Sequence, residues 1–193
     1  MRELILKMSM SIDGFVSGPN GEADWMFRNA DARSTAWTLD SVSHAGVHIM
    51  GAKTFVAMAA HWPSSTHVFA APMNDIPKVV FARHGRPDIV RGTATADGFA
   101  SWQHARVASG ELGDEIARLK QEPGGPIIAH GGASFAQSLA RSGLVDEYRL
   151  LVHPVALGRG LPVFSALDAP LALQLVELVR FDTGVVAHVL RKR

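Results

Sequence analysis

Short apolar runs alternate with stretches of helical periodicity along most of the chain. The apolar runs predict strands at residues 3–10, 47–50, 78–82, 104–108, 126–130 and 146–155. Apolar residues at helical spacing predict helices at residues 34–42, 52–58, 111–121 and 133–142. Residues 62–72 have neither pattern and are expected to form a loop.

The order of these elements predicts an α/β fold. Strands that alternate with helices form a mostly parallel sheet, and the helices cover both of its faces, which gives a three-layer αβα sandwich. Two apolar runs, 173–181 and 185–191, flank Asp182-Thr183-Gly184 and predict an antiparallel hairpin at the C-terminal end. The length of 193 residues suits a single domain spanning 1–193.

Composition excludes several classes of protein. The chain is 47% hydrophobic and 19% charged, as is usual for a globular protein, and its net charge of +1 does not favour nucleic acid or an anionic membrane as a partner. No apolar run is long enough to span a membrane, and the N-terminal residues predict a strand instead of a signal peptide. The absence of cysteine excludes disulfides and fits a cytoplasmic location.

The predicted turn after residue 130 carries the first chemical signal. Gly131 and Gly132 separate a buried strand from a helix, so the backbone can approach a ligand closely and the first N–H groups of the helix can point at an anion. A tight structural turn would need the same glycines, and this stretch alone does not decide between the two interpretations.

Two further strand ends favour the ligand interpretation. Gly51-Ala52-Lys53-Thr54 opens a second helix after a strand, and Arg83 follows a third strand. Ligands of such sheets bind at the carboxyl ends of the strands. We therefore predict a site for a ligand with several phosphates, such as a dinucleotide.

At this point the motifs resemble a known family. Residues 50–55 resemble the Met-Gly-Arg-Lys-Thr turn of dihydrofolate reductases, and residues 11–16 resemble the Ser-Leu-Asp-Gly opening of the reductase domain of riboflavin biosynthesis, the RibD C-terminal domain. Residues 131–133, 144–147, 154–155 and 158–160 are similar to the second half of that domain. The resemblance implies a dihydrofolate reductase-like fold, NADPH as cofactor, hydride transfer to a small heterocyclic or sugar-linked substrate, and a homodimer.

The resemblance also implies roles for individual residues. Cofactor phosphates would contact Gly51, Lys53, Thr54, Gly131, Gly132, Ala133 and Ser134. Arg83 would pair with the 2′-phosphate of NADPH, because guanidinium matches phosphate geometry. The structural alternative for both Lys53 and Arg83 is an ordinary solvated side chain on the surface.

The remaining candidates have structural alternatives of comparable weight. Ile12 and Val16 would line the nicotinamide site, or belong to the core. Asp13 would face the substrate as the candidate catalytic residue, or begin a turn, which Asp-Gly favours. Trp25 and Phe27 would wall the substrate pocket, or pack in the core.

The sequence departs from the resemblance in two places. Ala52 stands where the dihydrofolate reductase turn has arginine, so one phosphate contact is missing. Residues 33–37 also lack the carboxylate with which dihydrofolate reductases bind the pterin, so dihydrofolate is a poor candidate substrate. His44 and His48 have metal-ligand spacing for a helix, but Gly46 and the strand after it break that helix, and no metal is assigned.

Two classes of function follow. The first is an NADPH-dependent reductase resembling 5-amino-6-(5-phosphoribosylamino)uracil reductase. The second is a nucleotide-binding protein that has kept the fold without turnover, which fold analogy does not separate from the first. Dihydrofolate reductase activity itself is the less favoured third reading.

Overall fold

The fold is built from ten strands and seven helices in the part of the chain that the computed structural model describes, residues 1–89 and 96–193. The strands are β1 (Leu4–Ser11), β2 (Phe15–Ser17), β3 (Val47–Gly51), β4 (Lys78–Phe81), β5 (Arg106–Ala108), β6 (Ile127–Ala129), β7 (Glu147–His153), β8 (Leu161–Pro162), β9 (Leu173–Arg180) and β10 (Val186–Lys192). The helices are α1 (Trp25–Arg28), α2 (Ala32–Ser43), α3 (Ala52–His61), α4 (Ala70–Asp75), α5 (Ala96–Gln103), α6 (Leu112–Gln121) and α7 (Ala133–Ser142), with a 3₁₀ helix at Trp62–Ser64.

Eight strands form the central sheet, in the order β5-β4-β3-β6-β1-β7-β10-β9. The first six strands in this order, β5, β4, β3, β6, β1 and β7, pair in parallel with their neighbours. Strand β10 pairs antiparallel with both β7 and β9. The predicted mostly parallel sheet with an antiparallel C-terminal hairpin is confirmed. Strand β6 returns to the middle of the sheet, between β3 and β1, so its carboxyl end lies where the strand order reverses.

The two-residue period of the strands divides their side chains between two faces. On one face Leu4, Leu6 and Met8 of β1 belong to the main apolar cluster, together with residues of α6 and α7 such as Ile116 and Leu139. On the other face Met50 and Val80 pack with side chains of α3, α4 and α5. The helices therefore cover both faces of the sheet.

Two local predictions are wrong. Helix α2 begins at Ala32 instead of Ser34, because Asp31 is its N-cap: the Ser34 N–H donates to Asp31 Oδ1 (2.7 Å) and the Asp31 N–H donates to Ser34 Oγ (2.9 Å). Residues 62–72 are not a plain loop. The 3₁₀ helix begins at Trp62, and α4 begins at Ala70. A hydrogen bond from Asn74 Nδ2 to the Trp62 carbonyl (3.0 Å) links the two helices.

A small second sheet was also missed. Strands β2 and β8 pair antiparallel, in segments whose glycines and prolines predict loops. In residues 1–89 and 96–193, no helix has both the length and the apolar character that crossing a bilayer requires.

Candidate active site: a groove and a pocket at one turn

Two helices begin side by side at the carboxyl edge of the sheet. Helix α3 follows β3 at Gly51, and α7 follows β6 at Gly132. The Gly51 N–H donates to the Gly131 carbonyl (3.1 Å), which fixes one turn against the other. Neither helix has a side-chain cap, so the N–H groups of both first turns remain available to a ligand.

These termini form one end of a groove of about 900 Å³. Of the predicted cofactor residues, the groove is lined by Gly51, Lys53, Thr54, Arg83, Gly132, Ala133 and Ser134. The carboxyl ends of β3, β4 and β5 and the turn after β6 all contribute to it, because parallel strands end at one edge of the sheet. The structure thus brings together the three strand ends that the sequence singles out.

Close packing explains the glycines. A Cβ atom on Gly132 would stand 3.1 Å from Thr54 Oγ1, and one on Gly51 would stand 3.2 Å from Phe135 Cβ. Gly131 has a φ of 82°, a conformation that glycine adopts without strain, and it shapes the turn without lining the groove. A larger residue at position 132 would fill the cradle between the two helices.

The charges of the groove suit an anion. Lys53 and Arg83 are exposed, and neither has an ion-pair partner among the described residues. Glu111, which also lines the groove, is the single carboxylate among the described lining residues. Two fixed cations and two uncapped helix N-termini together favour a ligand with several negative charges.

A second, smaller cavity lies on the other side of the same turn. This pocket has a volume of about 230 Å³, and His130, two residues before Gly132, lines it. Helix α3 contributes to both cavities, with Thr54 lining the groove and Met58, one turn later, lining the pocket. The apolar wall of the pocket comprises Phe27, Val42, Met58, Trp62, Phe69 and Met73.

The polar floor of the pocket follows from strand periodicity. Lys7 and Ser9 of β1, His130 after β6 and His153 of β7 all line it. Lys7 and Ser9 lie two and four residues after Ile5, His130 lies two residues after Ile128, and His153 lies two residues after Leu151. These three apolar residues belong to clusters separate from the main one. Because side chains alternate along a strand, the four polar residues share the face of the sheet opposite the main cluster. Among the described residues that line the pocket, none is a carboxylate.

Lys7 is the charged group of this pocket. Its ammonium has no hydrogen-bond or ion-pair partner among the described residues. Burial, together with the nearby positive charge of Arg149, lowers the pKa of Lys7 to about 8. An unpaired ammonium in a largely apolar cavity is costly unless a ligand uses it, so Lys7 is a strong candidate to contact substrate.

The histidines around Lys7 are neutral at neutral pH. Burial lowers the pKa of His48 to about 3 and the pKa of His153 to about 4, with nearby lysines adding to both effects. Both ring nitrogens of His153 are buried and have no hydrogen-bond partner in the described part of the chain. No group of three or more possible metal ligands occurs in residues 1–89 and 96–193.

The predicted substrate and nicotinamide residues occupy different places. Phe27 lines the pocket and is 74% exposed, whereas Trp25 is buried and packs edge-on against the His153 ring at 5.3 Å between ring centroids. Val16 lies in the main apolar cluster, as its structural alternative predicts. Ile12 is 69% exposed and lines neither cavity.

Asp13 accepts hydrogen bonds from the backbone of the loop at Leu157 and Gly158. Its carboxylate accepts the N–H of Gly158 (2.7 Å), both of its oxygens lie 3.1 Å from the N–H of Leu157, and Ser11 Oγ donates to it (2.6 Å). The Ser11 and Gly158 hydrogen bonds lower the pKa of Asp13. Asp13 lines neither cavity, and its hydrogen bonds support the turn that the sequence favours over a catalytic role.

Sequence reasoning missed the floor of the pocket. In the first predicted strand Lys7 interrupts the apolar residues from Leu4 to Met8, and this interruption could have marked it. His130 ends an apolar strand directly before the paired glycines. Nothing local distinguishes His153, which a long crossover brings to the same place.

Comparison with known proteins agrees with this architecture. The family model of the RibD C-terminal domain matches residues 2–187. The uncharacterized protein YyaP of Bacillus subtilis (strain 168) is 30% identical over 187 residues, which cover 96% of this chain and 92% of that protein.

Solved structures share the fold. A Shewanella sp. PV-4 protein, described as a riboflavin biosynthesis protein, superposes with a TM-score of 0.76 at 17% identity, covering 99% of both chains. The Thermotoga maritima diaminohydroxyphosphoribosylaminopyrimidine deaminase/5-amino-6-(5-phosphoribosylamino)uracil reductase superposes with a TM-score of 0.68 at 15% identity. It covers all of this chain, which corresponds to 57% of the T. maritima chain.

Proposed function

Because this chain belongs to the family of RibD C-terminal domains, we propose that it is an NADPH-dependent reductase of a small heterocyclic substrate. The observation that carries the proposal is the meeting of two cavities at one turn. A groove suited to phosphates and an apolar pocket, whose ammonium has no partner in residues 1–89 and 96–193, meet at the segment from His130 to Gly132 and at helix α3. A two-substrate reaction needs such adjacent sites.

The groove would hold the cofactor. Backbone N–H groups at Lys53, Thr54, Ala133 and Ser134 would bind the pyrophosphate, and the cradle at Gly132 leaves room for it. Arg83 would bind the 2′-phosphate. When bound, NADPH supplies the hydride. Ala52 offers no charge, so affinity depends on the backbone and on the two cations of the groove.

The pocket would hold the substrate. Lys7 Nζ holds a proton with a pKa of about 8, so it can donate a hydrogen bond, or the proton itself, to a substrate heteroatom near neutral pH. Phe27 and Trp62 supply flat surfaces for a ring. Asp13 has no catalytic role in this proposal, because its carboxylate is used by the loop at Leu157 and Gly158.

A pyrimidine ring fits this pocket better than a pterin does. The T. maritima relative is a uracil reductase by its description. Helix α2 presents Ser34, Thr35 and Thr38 to the pocket, and hydroxyls do not supply the charge with which a carboxylate binds a protonated ring. We therefore favour an aminouracil derivative as substrate and expect no dihydrofolate reduction.

The test is a titration followed by an assay. NADPH should quench tryptophan fluorescence, since its nicotinamide ring would lie at the mouth of the pocket that Trp62 lines. NADPH should also be oxidised in the presence of a 5-amino-6-ribosylaminouracil substrate. Binding without oxidation of NADPH by any aminouracil or pterin would favour the catalytically silent nucleotide-binding protein. An absence of NADPH binding at millimolar concentration would contradict both functions.

We also propose a homodimer, through the exposed edge strand β9. Leu175, Val176 and Leu178 of this strand are 51%, 55% and 55% exposed, and an apolar edge invites pairing with another chain. Sedimentation should give a dimer at micromolar concentration, and Leu178→Glu should give a folded monomer. A wild-type monomer would remove this part of the proposal.

A further inference from the structure

Two histidines in contact, His130 in the polar floor of the pocket and the buried His48 behind it, form a chain of polar groups. His130 Nε2 lies 2.8 Å from His48 Nδ1, and His48 Nε2 lies 3.3 Å from the Pro72 carbonyl oxygen. His48 is fully buried, and His130 reaches the pocket. The three groups therefore form a chain of hydrogen bonds that runs from the backbone of α4 to the cavity.

The carbonyl end sets the direction of this chain. A carbonyl oxygen can only accept, so His48 Nε2 carries the hydrogen and His48 Nδ1 keeps its lone pair. His130 Nε2 must then donate to His48 Nδ1. In a neutral imidazole only one nitrogen is protonated, so His130 Nδ1 presents a lone pair.

The surroundings keep both rings neutral. Burial is the main reason that the pKa of His130 lies well below its ordinary value, and His48, Lys7 and Lys78 reinforce it. Burial, followed by the charge of Lys78, likewise lowers the pKa of His48, to about 3. The lone pair on His130 Nδ1 therefore persists through the neutral range.

His130 Nδ1 differs from the other groups of the polar floor, Lys7, Ser9 and His153. It has no partner among the described residues, and unlike the ring nitrogens of His153 it is not shut away from solvent. Lys7 can only donate. Hydroxyls such as Ser9 rotate to donate or accept, and the unpartnered His153 offers one group of each kind. Within the polar floor of Lys7, Ser9, His130 and His153, His130 Nδ1 is thus the fixed acceptor, and Asn29 on another wall adds an amide oxygen.

We propose that His130 determines substrate specificity by accepting a hydrogen bond from a ring N–H at Nδ1, and that His48 is the residue that positions and orients it. With Lys7 donating to an oxygen, the pocket recognises an uncharged ring in which N–H adjoins C=O, a cyclic amide. This inference rests on the proposed function, because it names the chemistry that the reductase selects.

The tautomers can be measured without any ligand. Imidazole ¹⁵N NMR of the wild-type protein at pH 7 should show both His48 and His130 protonated at Nε2 alone. His48→Leu should release this constraint and shift the His130 signals, whereas His48→Asn, whose amide oxygen can accept the same hydrogen bond, should preserve them. A wild-type His130 protonated at Nδ1 would overturn the proposal.

Matched ligands test the recognition. 5,6-Diaminouracil should bind the wild type at least about tenfold more tightly than 5,6-diamino-1,3-dimethyluracil, which has no ring N–H. His130→Leu should abolish that preference and His130→Asn should retain most of it, while the exposed His44→Asn serves as a control. Equal binding of both ligands to the wild type, or binding of neither, would overturn the proposal.

The affinity for NADPH separates this inference from the proposed function. All four variants at His48 and His130 should bind NADPH as the wild type does, because neither side chain lines the groove. If NADPH binds and the diaminouracil preference is absent, the inference fails alone. If NADPH does not bind the wild type, the proposed function fails, whatever the uracil result.

Discussion

The groove and the pocket meet at one turn, between His130 and Gly132, but different kinds of groups line them. The features of the groove that suit phosphates are glycines at strand ends, uncapped helix N-termini and two exposed cations. The pocket is lined by side chains from β1, β7, the turn after β6 and helices α1 to α4, among other segments. Its charged group, Lys7, is partly buried and has no partner among the described residues. In the proposed function, the groove would bind phosphates, a group common to many ligands, and the pocket would select a particular ring.

The difference has a consequence for sequence change. A groove that binds through N–H groups tolerates many side chains, which is why Ala52 can stand at a position where arginine occurs in the dihydrofolate reductase turn. A pocket that binds through Lys7 and His130 changes its ligand whenever either is replaced. Substitutions should therefore separate the two regions cleanly.

The largest effect should come from Gly132→Val. The backbone at Gly132 (φ −69°, ψ −165°) suits any residue, but the added Cβ stands 3.1 Å from Thr54 Oγ1 and occupies the cradle. With two charge-assisted hydrogen bonds lost, NADPH affinity should fall about 100-fold or more, measured by calorimetry.

Gly113→Val provides the control for that substitution. A Cβ on Gly113 meets no atom within 4 Å, so this variant should bind NADPH normally. Circular dichroism should show both variants folded. Normal NADPH affinity in Gly132→Val would mean that the turn is only structural.

Lys7→Met should affect the pocket alone. Loss of the ammonium should lower kcat/KM by about 10- to 100-fold, while the Kd for NADPH stays unchanged. The thermal midpoint should not fall, because a desolvated charge is removed. Lys53→Met is the converse control, with weaker NADPH binding and an unaltered pocket. A fall in cofactor affinity with Lys7→Met would break the separation.

Arg83→Ala sharpens the account of the groove. Arg83 is exposed, so the low end of a charge-assisted contact applies, and the affinity for NADPH should fall about tenfold. The affinity for NADH should hardly change, because NADH has no 2′-phosphate. Equal losses for both cofactors would move Arg83 away from that phosphate.

The last prediction concerns stability in acid, where ligand binding plays no part. His153 has a folded-state pKa of about 4, below the unfolded value of about 6.5, so its contribution to stability is complete above pH 6.5 and declines as the pH falls towards 4. His48 acts likewise, down to about pH 3. His153→Gln should reduce the slope of unfolding free energy against pH by at most about 1.4 kcal/mol per unit between pH 6.5 and 4. An unchanged slope in urea titrations would contradict the neutral assignment.

Sequence predicted what is local and missed what is distant. The order of strands and helices and the turns at Gly51 and Gly132 follow from short patterns, so the sheet and most of the groove were predictable. The partners of Asp13, at Leu157 and Gly158, lie more than a hundred residues away, so its loop role was only one of two alternatives. The pocket needs the register of β1, β6 and β7, which no local pattern gives.

Helix capping shows the same limit on a smaller scale. Ser34 and Asp31 are both good N-cap residues, and only the reciprocal hydrogen bonds between them show that Asp31 caps α2. Asp31 also accepts the Thr183 N–H at Oδ2 (3.3 Å), and Thr183 lies in the hairpin turn after β9, far away in the sequence. N-cap propensity does not distinguish Asp31 from Ser34, whereas the hydrogen bonds of the folded chain do.

The central claim is that the groove and the pocket are two halves of one site. A crystal structure of the protein with NADPH tests it most directly. We predict density for the pyrophosphate at the N-termini of α3 and α7, for the 2′-phosphate beside Arg83, and for the nicotinamide ring at the mouth of the pocket near His130. Pyrophosphate bound elsewhere, or a nicotinamide ring directed away from the pocket, would contradict the account.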